Sequence, residues 1–230
     1  MYIDPYYIIL VIPALLLGIW AQHRVNSTFQ KYSQVSGSRG CTGAMAAEMI
    51  LRSNGITDVQ VEHISGKLTD HFDPSAGVIR LSDSVYSSRS IAAVGVAAHE
   101  AGHAVQHSVG YAPIRIRNMF VPIANIGSKV SIPLIFLGLI LSFQKVVSFG
   151  ILLFASVALF QLITLPVEFN ASSRALEVIE EQGLLAEEEI SGARKVLSAA
   201  AMTYVAALIA SVAQLLRLIG LYGNRGRRND

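Results

Sequence analysis

The chain has 230 residues, of which 52% are hydrophobic and only 15% are charged. Ordinary soluble domains are roughly 45 to 50% apolar but about 25% charged, so this deficit of charge indicates a membrane protein. The net charge of +2, with no basic stripe interleaved with aromatic residues, argues against a nucleic-acid partner. Cys41 is the only cysteine, which excludes an internal disulfide.

The first predicted element is an apolar segment, residues 7–22, which ends near Trp20 and is followed by His23 and Arg24. The start of the chain carries Asp4 and no basic residue, which makes a cleaved signal peptide the weaker interpretation. We therefore predict an N-terminal transmembrane anchor over residues 1–22.

A more polar region, residues 23–118, follows the anchor and is predicted to form a small α+β metal domain. Thr42 can cap a helix over residues 43–52. This helix is expected to end at Asn54 and Gly55, because glycine is favoured just after a helix C-terminus.

Two strands are predicted in the same region, at residues 59–64 and 78–81, from alternating or β-branched patterns. Three polar residues between them, Asp70, His71 and Asp73, have two interpretations. They could form a second metal site or support one, or they could belong to a turn at the Asp-Pro dipeptide. The turn is favoured because such dipeptides commonly initiate turns.

A helix is predicted over residues 90–109, with serines before it as capping residues and Gly110 as its stop. It contains the sequence His-Glu-Ala-Gly-His. One alternative is that this short pattern arose by chance. Ala101 and Gly102 inside it instead favour a buried helix that is closely approached by other backbone.

The spacing of this motif suits a hydrolytic zinc site. His99 and His103 lie one helical turn apart on the same face, so both imidazoles can reach one metal ion. Glu100 is rotated off that face, where it can act as the general base for a zinc-activated water. The motif therefore predicts a zinc metallopeptidase.

A third metal ligand must come from elsewhere in the chain. His107 continues the series but lies about 12 Å along the helix axis from His99, too far for one metal to bridge both. Glu168 follows an apolar run, residues 151–167, where a carboxylate is costly without a partner. Two histidines and one glutamate form a known catalytic zinc set, so Glu168 is the predicted third ligand, ahead of a solvated glutamate at the membrane interface. Three further glutamates could compete, but their charged surroundings indicate a wet helix face: Glu177, Glu180 and Glu181.

The remaining apolar segments complete the predicted organisation. Residues 119–167 are expected to form a transmembrane hairpin, because only a short link separates two segments of membrane-spanning length. Residues 168–196 form a polar helical segment with the third ligand. Residues 197–230 are predicted to be a C-terminal membrane helix and basic tail, and this helix, which contains Gln214 and Arg217, could cross the bilayer or lie partly in its interface.

The distribution of basic residues near the span ends favours a cytoplasmic metal domain by seven to four. The seven are Arg24, Lys31, Arg115, Arg117, Arg174, Arg194 and Lys195, and the four are Lys145, Arg225, Arg227 and Arg228. The basic tail argues the other way if the last segment crosses, whereas a re-entrant last segment would remove the conflict.

The chain resembles the bacterial neutral zinc metallopeptidase family of YugP-type membrane proteins. The N-terminal anchor and three motifs carry the resemblance: Leu-Thr-Asp-His-Phe-Asp-Pro at 68–74, Val-Ile-Arg-Leu-Ser at 78–82, and Ala-Ala-His-Glu-Ala-Gly-His-Ala-Val-Gln-His at 97–107. The resemblance covers nearly the whole chain. It implies a multi-pass membrane zinc endopeptidase with a zincin-like metal domain.

A second resemblance concerns the segment that begins at Glu168. Glu-Phe-Asn-Ala-Ser is similar to the Glu-Phe-x-Ala-Asp segment of the HtpX and CAAX-processing membrane proteases, whose glutamate binds zinc. Ser172 replaces the aspartate, so the resemblance still implies a zinc ligand at Glu168 but implies no supporting carboxylate at position 172. Arg174 could stabilise an oxyanion or serve at the surface.

In zincin-like proteases, a strand just upstream of the metal helix pairs with the substrate backbone. That resemblance implies the role for residues 77–82, by strand addition. The alternative is an ordinary core strand.

The sequence thus predicts a mainly α multi-pass membrane protein with a small zincin-like α+β metal domain in the bacterial cell membrane. The predicted function is zinc-dependent hydrolysis of membrane-associated or misfolded polypeptides, with the lipid bilayer as the other partner. Two alternatives are a site-2-type intramembrane protease and a non-catalytic zinc-stabilised scaffold. The first lacks its distal Asp-containing ligand segment here, and the second has no need of Glu100.

Overall fold

The computed structural model of the chain describes residues 4–223. In chain order the elements are a π-helical turn Tyr7–Val11 continued by α1 (Ile12–Ser33), then α2 (Gly43–Ser53), β1 (Gln60–Ile64), β2 (His71–Asp73), β3 (Val78–Ser82), α3 (Ile91–Ser108), α4 (Ala112–Ile140), α5 (Gln144–Glu181) and α6 (Glu187–Leu218), which ends in the π-helical turn Ile219–Gly223. The expected mainly helical fold with one small sheet is confirmed. The predicted basic tail, Arg225, Arg227 and Arg228, lies outside the described residues.

The chain forms two compact units, and their boundaries fall inside the long helices α1, α4, α5 and α6. The first unit takes its described residues from Met1–Ala21, Ile116–Leu165 and Thr203–Asp230. The second consists of Gln22–Arg115 and Pro166–Met202.

Four described helical segments are long and apolar enough to cross a membrane: Tyr7–Ser33, Ala112–Ile140, Gln144–Glu181 and Glu187–Tyr222. Within the first unit, α4 and α5 pack closely at glycines. A Cβ on Gly138 would lie 2.8 Å from the backbone nitrogen of Val147, and one on Gly127 would lie 2.7 Å from the carbonyl oxygen of Leu153. Small residues at such contacts let helix backbones approach each other, as is common in membranes.

Polar contacts join both ends of the chain in the first unit. Arg217 near the end of α6 bonds the carboxylate of Asp4 at 2.8 Å, and its guanidinium lies 5.1 Å from the ring centre of Tyr7. The amide of Gln144, the first residue of α5, donates to the carbonyl of Tyr222 at 2.7 Å. The residues before α1, the start of α5 and the end of α6 therefore lie together.

The second unit contains a three-stranded sheet with the order β1-β3-β2. β1 pairs parallel with β3, and β2 pairs antiparallel with it. The strand predicted at 77–82 to bind substrate is thus the central one: β1 pairs with it along Val78–Ser82, and β2 pairs with it on the other side along Val78–Arg80. The prediction of strand addition there is wrong, and the alternative of a core strand holds, with Ile79 and Leu81 completely buried.

The short strand β2 was not expected from the sequence, which favoured a turn at these residues. Both features occur. His71–Asp73 pair with β3, and Asp73 then accepts hydrogen bonds from the backbone N–H groups of Ser75 and Ala76, which is the expected turn. Asp70 accepts from the backbone and hydroxyl of Ser82 at 2.7 and 3.0 Å.

Helices α2 and α3 pack in the core of the second unit. Thr42 caps α2 by accepting from the backbone N–H of Met45, and Gly55 follows it with a φ of +68°. The predicted boundaries of this helix are therefore confirmed to within a residue. A run of completely buried alanines lets α3 lie in the middle of the core, among them Ala93, Ala97 and Ala101.

Candidate metal centre

The helix that carries both histidines begins and ends where the sequence predicted. Ser90 caps α3 by accepting from the backbone N–H of Ala93 at 3.2 Å, and Gly110 ends it with a φ of +64°. The helical spacing brings the rings of His99 and His103 to 4.7 Å between centroids, in an edge-on arrangement. Both side chains therefore point to one place.

Helix α5 brings Glu168 to the same place. Its Oε2 atom lies 3.2 Å from Nε2 of His99 and 3.5 Å from Nε2 of His103. One ligand atom from each residue lies within 4.8 Å of the others. Among the described residues this is the one group of histidine, cysteine or acidic side chains close enough to hold a metal ion. Asp70, His71 and Asp73 form no such group.

The donor set fits zinc. Two imidazole nitrogens and one carboxylate oxygen are ligands that Zn²⁺ takes in catalytic sites. Glu168 is only 2% exposed, so its charge has no bulk water to stabilise it and needs a positive partner. Burial lowers the pKa of His103, but its hydrogen bond with Glu168 and the charges of Glu100 and Glu168 more than compensate and raise it. The environment therefore favours a positive charge at this point.

A glycine allows the two helices to meet. A Cβ on Gly102 would lie 2.8 Å from the carbonyl oxygen of Ala171, three residues after Glu168 on α5. The expectation that small residues in the motif permit close backbone approach is confirmed. The approaching backbone belongs to α5, the helix that carries the third candidate ligand.

Each histidine uses its second ring nitrogen in a hydrogen bond. Nδ1 of His99 lies 3.1 Å from the hydroxyl of Ser172, the residue that stands in place of the aspartate of the similar Glu-Phe-x-Ala-Asp segment. Nδ1 of His103 lies 3.0 Å from the side-chain oxygen of Gln106. Such partners orient the rings of metal-binding histidines.

Glu100 stands apart from the three-residue group. Its Oε2 accepts a hydrogen bond from the backbone N–H of Phe72, on β2, at 3.1 Å. The candidate base is therefore held next to an edge strand of the sheet. His107 also lies outside the group, with its ring 5.9 Å from that of Phe72.

Arg174, Glu177 and Glu181 line a separate cleft with Gly102 and Val105. These α3 residues lie on a different helical face from His99 and His103. Arg174 donates through Nε to the side-chain oxygen of Asn170 at 2.9 Å. This placement gives the oxyanion interpretation of Arg174 no support.

The sequence did not reveal Gln106, Asn170 or Phe72 as neighbours of the site. For Gln106 a signal existed, because it follows His103 by three residues and helical neighbours at that spacing touch. For Asn170 and Phe72 the signal depends on the packing of α5 and the pairing of β2, which short-range patterns do not contain.

Residues 7–223 match the family described as "Putative neutral zinc metallopeptidase". The chain belongs to this family. The expected resemblance is confirmed, and so is the prediction of a zinc metallopeptidase with zinc as its cofactor, at the level of the family. In this metallopeptidase family, the chain is 50% identical over 219 residues to "Putative membrane protease YugP" of Bacillus subtilis (strain 168), which covers 95% of this chain and 97% of the relative. No solved structure matches the chain.

Proposed function

We propose that this protein is a membrane-anchored zinc endopeptidase in which His99, His103 and Glu168 bind zinc and Glu100 is the general base. One observation carries the proposal: a buried carboxylate lies within 3.5 Å of both histidine Nε2 atoms of a His-Glu-x-x-His helix. The adjacent Glu100 supports catalysis over a purely structural site, since a structural site has no use for a base.

Zinc, when bound, supplies a Lewis acid that lowers the pKa of water to about 7 and polarises the scissile carbonyl. Glu100 takes the proton from the attacking water and delivers it to the leaving amine. His103 presents its Nε2 lone pair, because its Nδ1 is engaged with the side-chain oxygen of Gln106, and His99 can do the same when its Nδ1 donates to the hydroxyl of Ser172. Glu168 is itself shielded from bulk water by its burial.

The substrate backbone is proposed to pair with the outer edge of β2. Phe72 lies opposite Ile79 of β3, but its N–H points to Glu100 and thus away from that strand. In an antiparallel ladder both polar groups of such a residue face outward, so Phe72 offers its carbonyl as an acceptor at this edge, beside the N–H that is bonded to Glu100. An extended peptide added there would run beside Glu100. This replaces the substrate strand expected at 77–82.

The membrane proposal rests on the four apolar helices and on the relative's printed name. Large apolar side chains are widely exposed on them, including Ile9, Ile140 and Leu152, as expected for surfaces that face lipid. Membrane-associated or misfolded polypeptides are the proposed substrates, because an anchored site meets them first.

The last helix is proposed to cross the bilayer. The salt bridge between Arg217 and Asp4 joins the end of α6 to the residues before α1. A last segment that lay in the interface would not require this contact. The excess of basic residues, seven to four, places the metal domain of the proposed topology in the cytoplasm. The positively charged tail then lies outside, although basic residues are more common on the cytoplasmic side.

The site-2-type alternative receives less support. Proteases of that class carry the motif within a spanning helix, whereas α3 is not among the four described segments that are apolar enough to span. The scaffold alternative is tested together with the main proposal.

We predict that Glu100→Gln strongly slows cleavage of an unfolded protein such as casein while leaving the zinc content unchanged. The amide cannot accept the proton, yet its oxygen can still accept from the N–H of Phe72. Removal of such a base is expected to slow hydrolysis about 10²–10⁴-fold. Cleavage by the purified wild-type protein should be followed by fluorescence, with zinc measured in both proteins. Zinc-loaded wild type without activity would support the scaffold, and activity retained in Glu100→Gln would contradict the assigned base.

A further inference from the structure

We propose that Gln106 is a positioning residue that fixes the ring of His103 and ties it to the backbone beside Glu168. The inference rests on the proposed zinc site and adds a residue to it. Gln106 is completely buried, and it is the longest polar side chain without a charge in the buried part of the second unit. A buried amide is costly unless all its groups are hydrogen-bonded.

The orientation of this amide follows from its neighbours. The Nε2 of Gln106 donates to the carbonyl of Val167 at 2.8 Å and to the side-chain oxygen of Asn170 at 2.9 Å. A backbone carbonyl can only accept, so this end of the amide must be the NH₂ group. The opposite end, 3.0 Å from Nδ1 of His103, must therefore be the oxygen.

The orientation of Gln106 in turn decides which nitrogen of His103 carries hydrogen. An amide oxygen can only accept, so Nδ1 of His103 is the donor. In the neutral ring the lone pair then lies on Nε2, the nitrogen that faces Glu168. His99 is held less strictly, because the hydroxyl of Ser172 can donate or accept.

The same amide reaches the third candidate ligand. Val167 directly precedes Glu168 on α5. Gln106 therefore contacts both His103 on α3 and the peptide group that leads into Glu168. Asn170 is oriented from its other side by Arg174, whose Nε donates to the same oxygen at 2.9 Å. Gln106 therefore couples the positions of two ligands that belong to different helices.

Two variants separate this role from simple acceptance of one hydrogen bond. Gln106→Leu removes all three bonds at similar size. Gln106→Glu keeps an acceptor for His103, but it lacks the two N–H groups that bond the oxygens of Val167 and Asn170. We expect both variants to bind zinc about 10–100-fold more weakly than the wild type. Wild-type zinc affinity in Gln106→Glu would show that accepting the hydrogen bond of His103 is sufficient, and it would overturn the proposed tie to the backbone of α5.

A matched control lies on the same helix. Ser90→Ala removes the cap of α3 but touches neither the ligands nor Gln106. It should lower the melting temperature and leave zinc affinity unchanged. The full-length proteins in detergent would be titrated against a chromophoric zinc chelator.

Cobalt(II) gives a second readout that loss of stability alone would not alter. The Nδ1–H protons of cobalt-bound histidines are shifted far from the normal proton spectrum and disappear in D₂O. Wild type should show two such signals, and the Gln106 variants should shift or lose only one.

The outcomes are distinguishable. Wild type that binds neither zinc nor cobalt would overturn the zinc site itself. Wild type that binds metal, with Gln106→Leu and Gln106→Glu both within about twofold of its affinity and both proton signals unmoved, would overturn the role of Gln106 alone. Should Gln106→Leu not fold, Asn170→Ala at a half-buried position takes its place, and unchanged affinity in it and in Gln106→Glu would count against the proposal.

Discussion

Gly102 shows how one residue limits the geometry of the candidate site. The missing side chain lets the backbone of α5 come within the space that a methyl group would fill, 2.8 Å from the carbonyl of Ala171. That stretch of α5 also holds Glu168 and Ser172, which contact the histidines. The distance between the two helices thus sets the distance between ligands.

We predict that Gly102→Ala lowers stability by about 1–3 kcal/mol, because the clash is with backbone that cannot swing away. It should also weaken zinc binding, since α5 must shift. Gly95→Ala is the matched control on α3, because its Cβ would meet Ala193 at an ordinary 3.5 Å. The control should be neutral or stabilising by up to about 1 kcal/mol through helix propensity. Denaturant unfolding and zinc titration of both variants check this, and equal stability of the two would contradict the packing argument.

At the scale of elements, the site is assembled from α3, α5 and the edge of β2. The helices provide the three candidate ligands, and β2 provides the backbone N–H that Glu100 accepts. An edge strand that holds the base and presents the carbonyl of Phe72 beside it is suited to hold an extended peptide.

We predict that Phe72→Pro lowers kcat/KM for peptide hydrolysis roughly 5–10-fold, because the backbone hydrogen bond that holds Glu100, of about 1 kcal/mol or slightly more, is lost. Proline is tolerated at an edge strand when the N–H it lacks faces outward. Phe72→Ala is the control, because it loses the aromatic ring but keeps the N–H. A kcat/KM that falls equally in both variants would assign the effect to the side chain, and zinc content should stay the same in all.

The elements differ in how far the sequence predicts them. The bounds of α3 follow from Ser90 and Gly110, which act within a few residues of the chain. Glu168 could be found because a carboxylate at the end of an apolar run needs a partner. The central position of β3 could not be predicted, because strand pairing joins distant segments and does not change the residue pattern of β3 itself.

At the scale of the whole molecule, two units of different surface chemistry share four long helices. The first unit exposes large apolar side chains, and the second buries a core around α3. The salt bridge of Arg217 and the hydrogen bond of Gln144 hold three helix ends of the first unit close together. In the proposed topology, this arrangement corresponds to an even number of crossings.

The proposed topology makes a prediction for intact cells. In a Cys41→Ser background, a cysteine at Ser142, in the exposed link between α4 and α5, should react with a membrane-impermeant maleimide. A cysteine at Ser75, in the turn after β2, should react only after the cells are permeabilised, because the metal domain is proposed to be cytoplasmic. The reverse pattern would place the metal domain outside, and labelling of both positions in intact cells would contradict a crossing arrangement.

The central claim is that two helices share one zinc ion through His99, His103 and Glu168. The most direct measurement is the zinc content of the purified full-length protein, wild type beside Glu168→Gln, with Glu181→Gln as a control on the same helix and equal folding checked by circular dichroism. We predict about one zinc per chain in wild type and control, and a sharp loss in Glu168→Gln, because a neutral amide is a poor zinc ligand. Full zinc in Glu168→Gln would contradict the third ligand, and no zinc in metal-replete wild type would contradict the account as a whole.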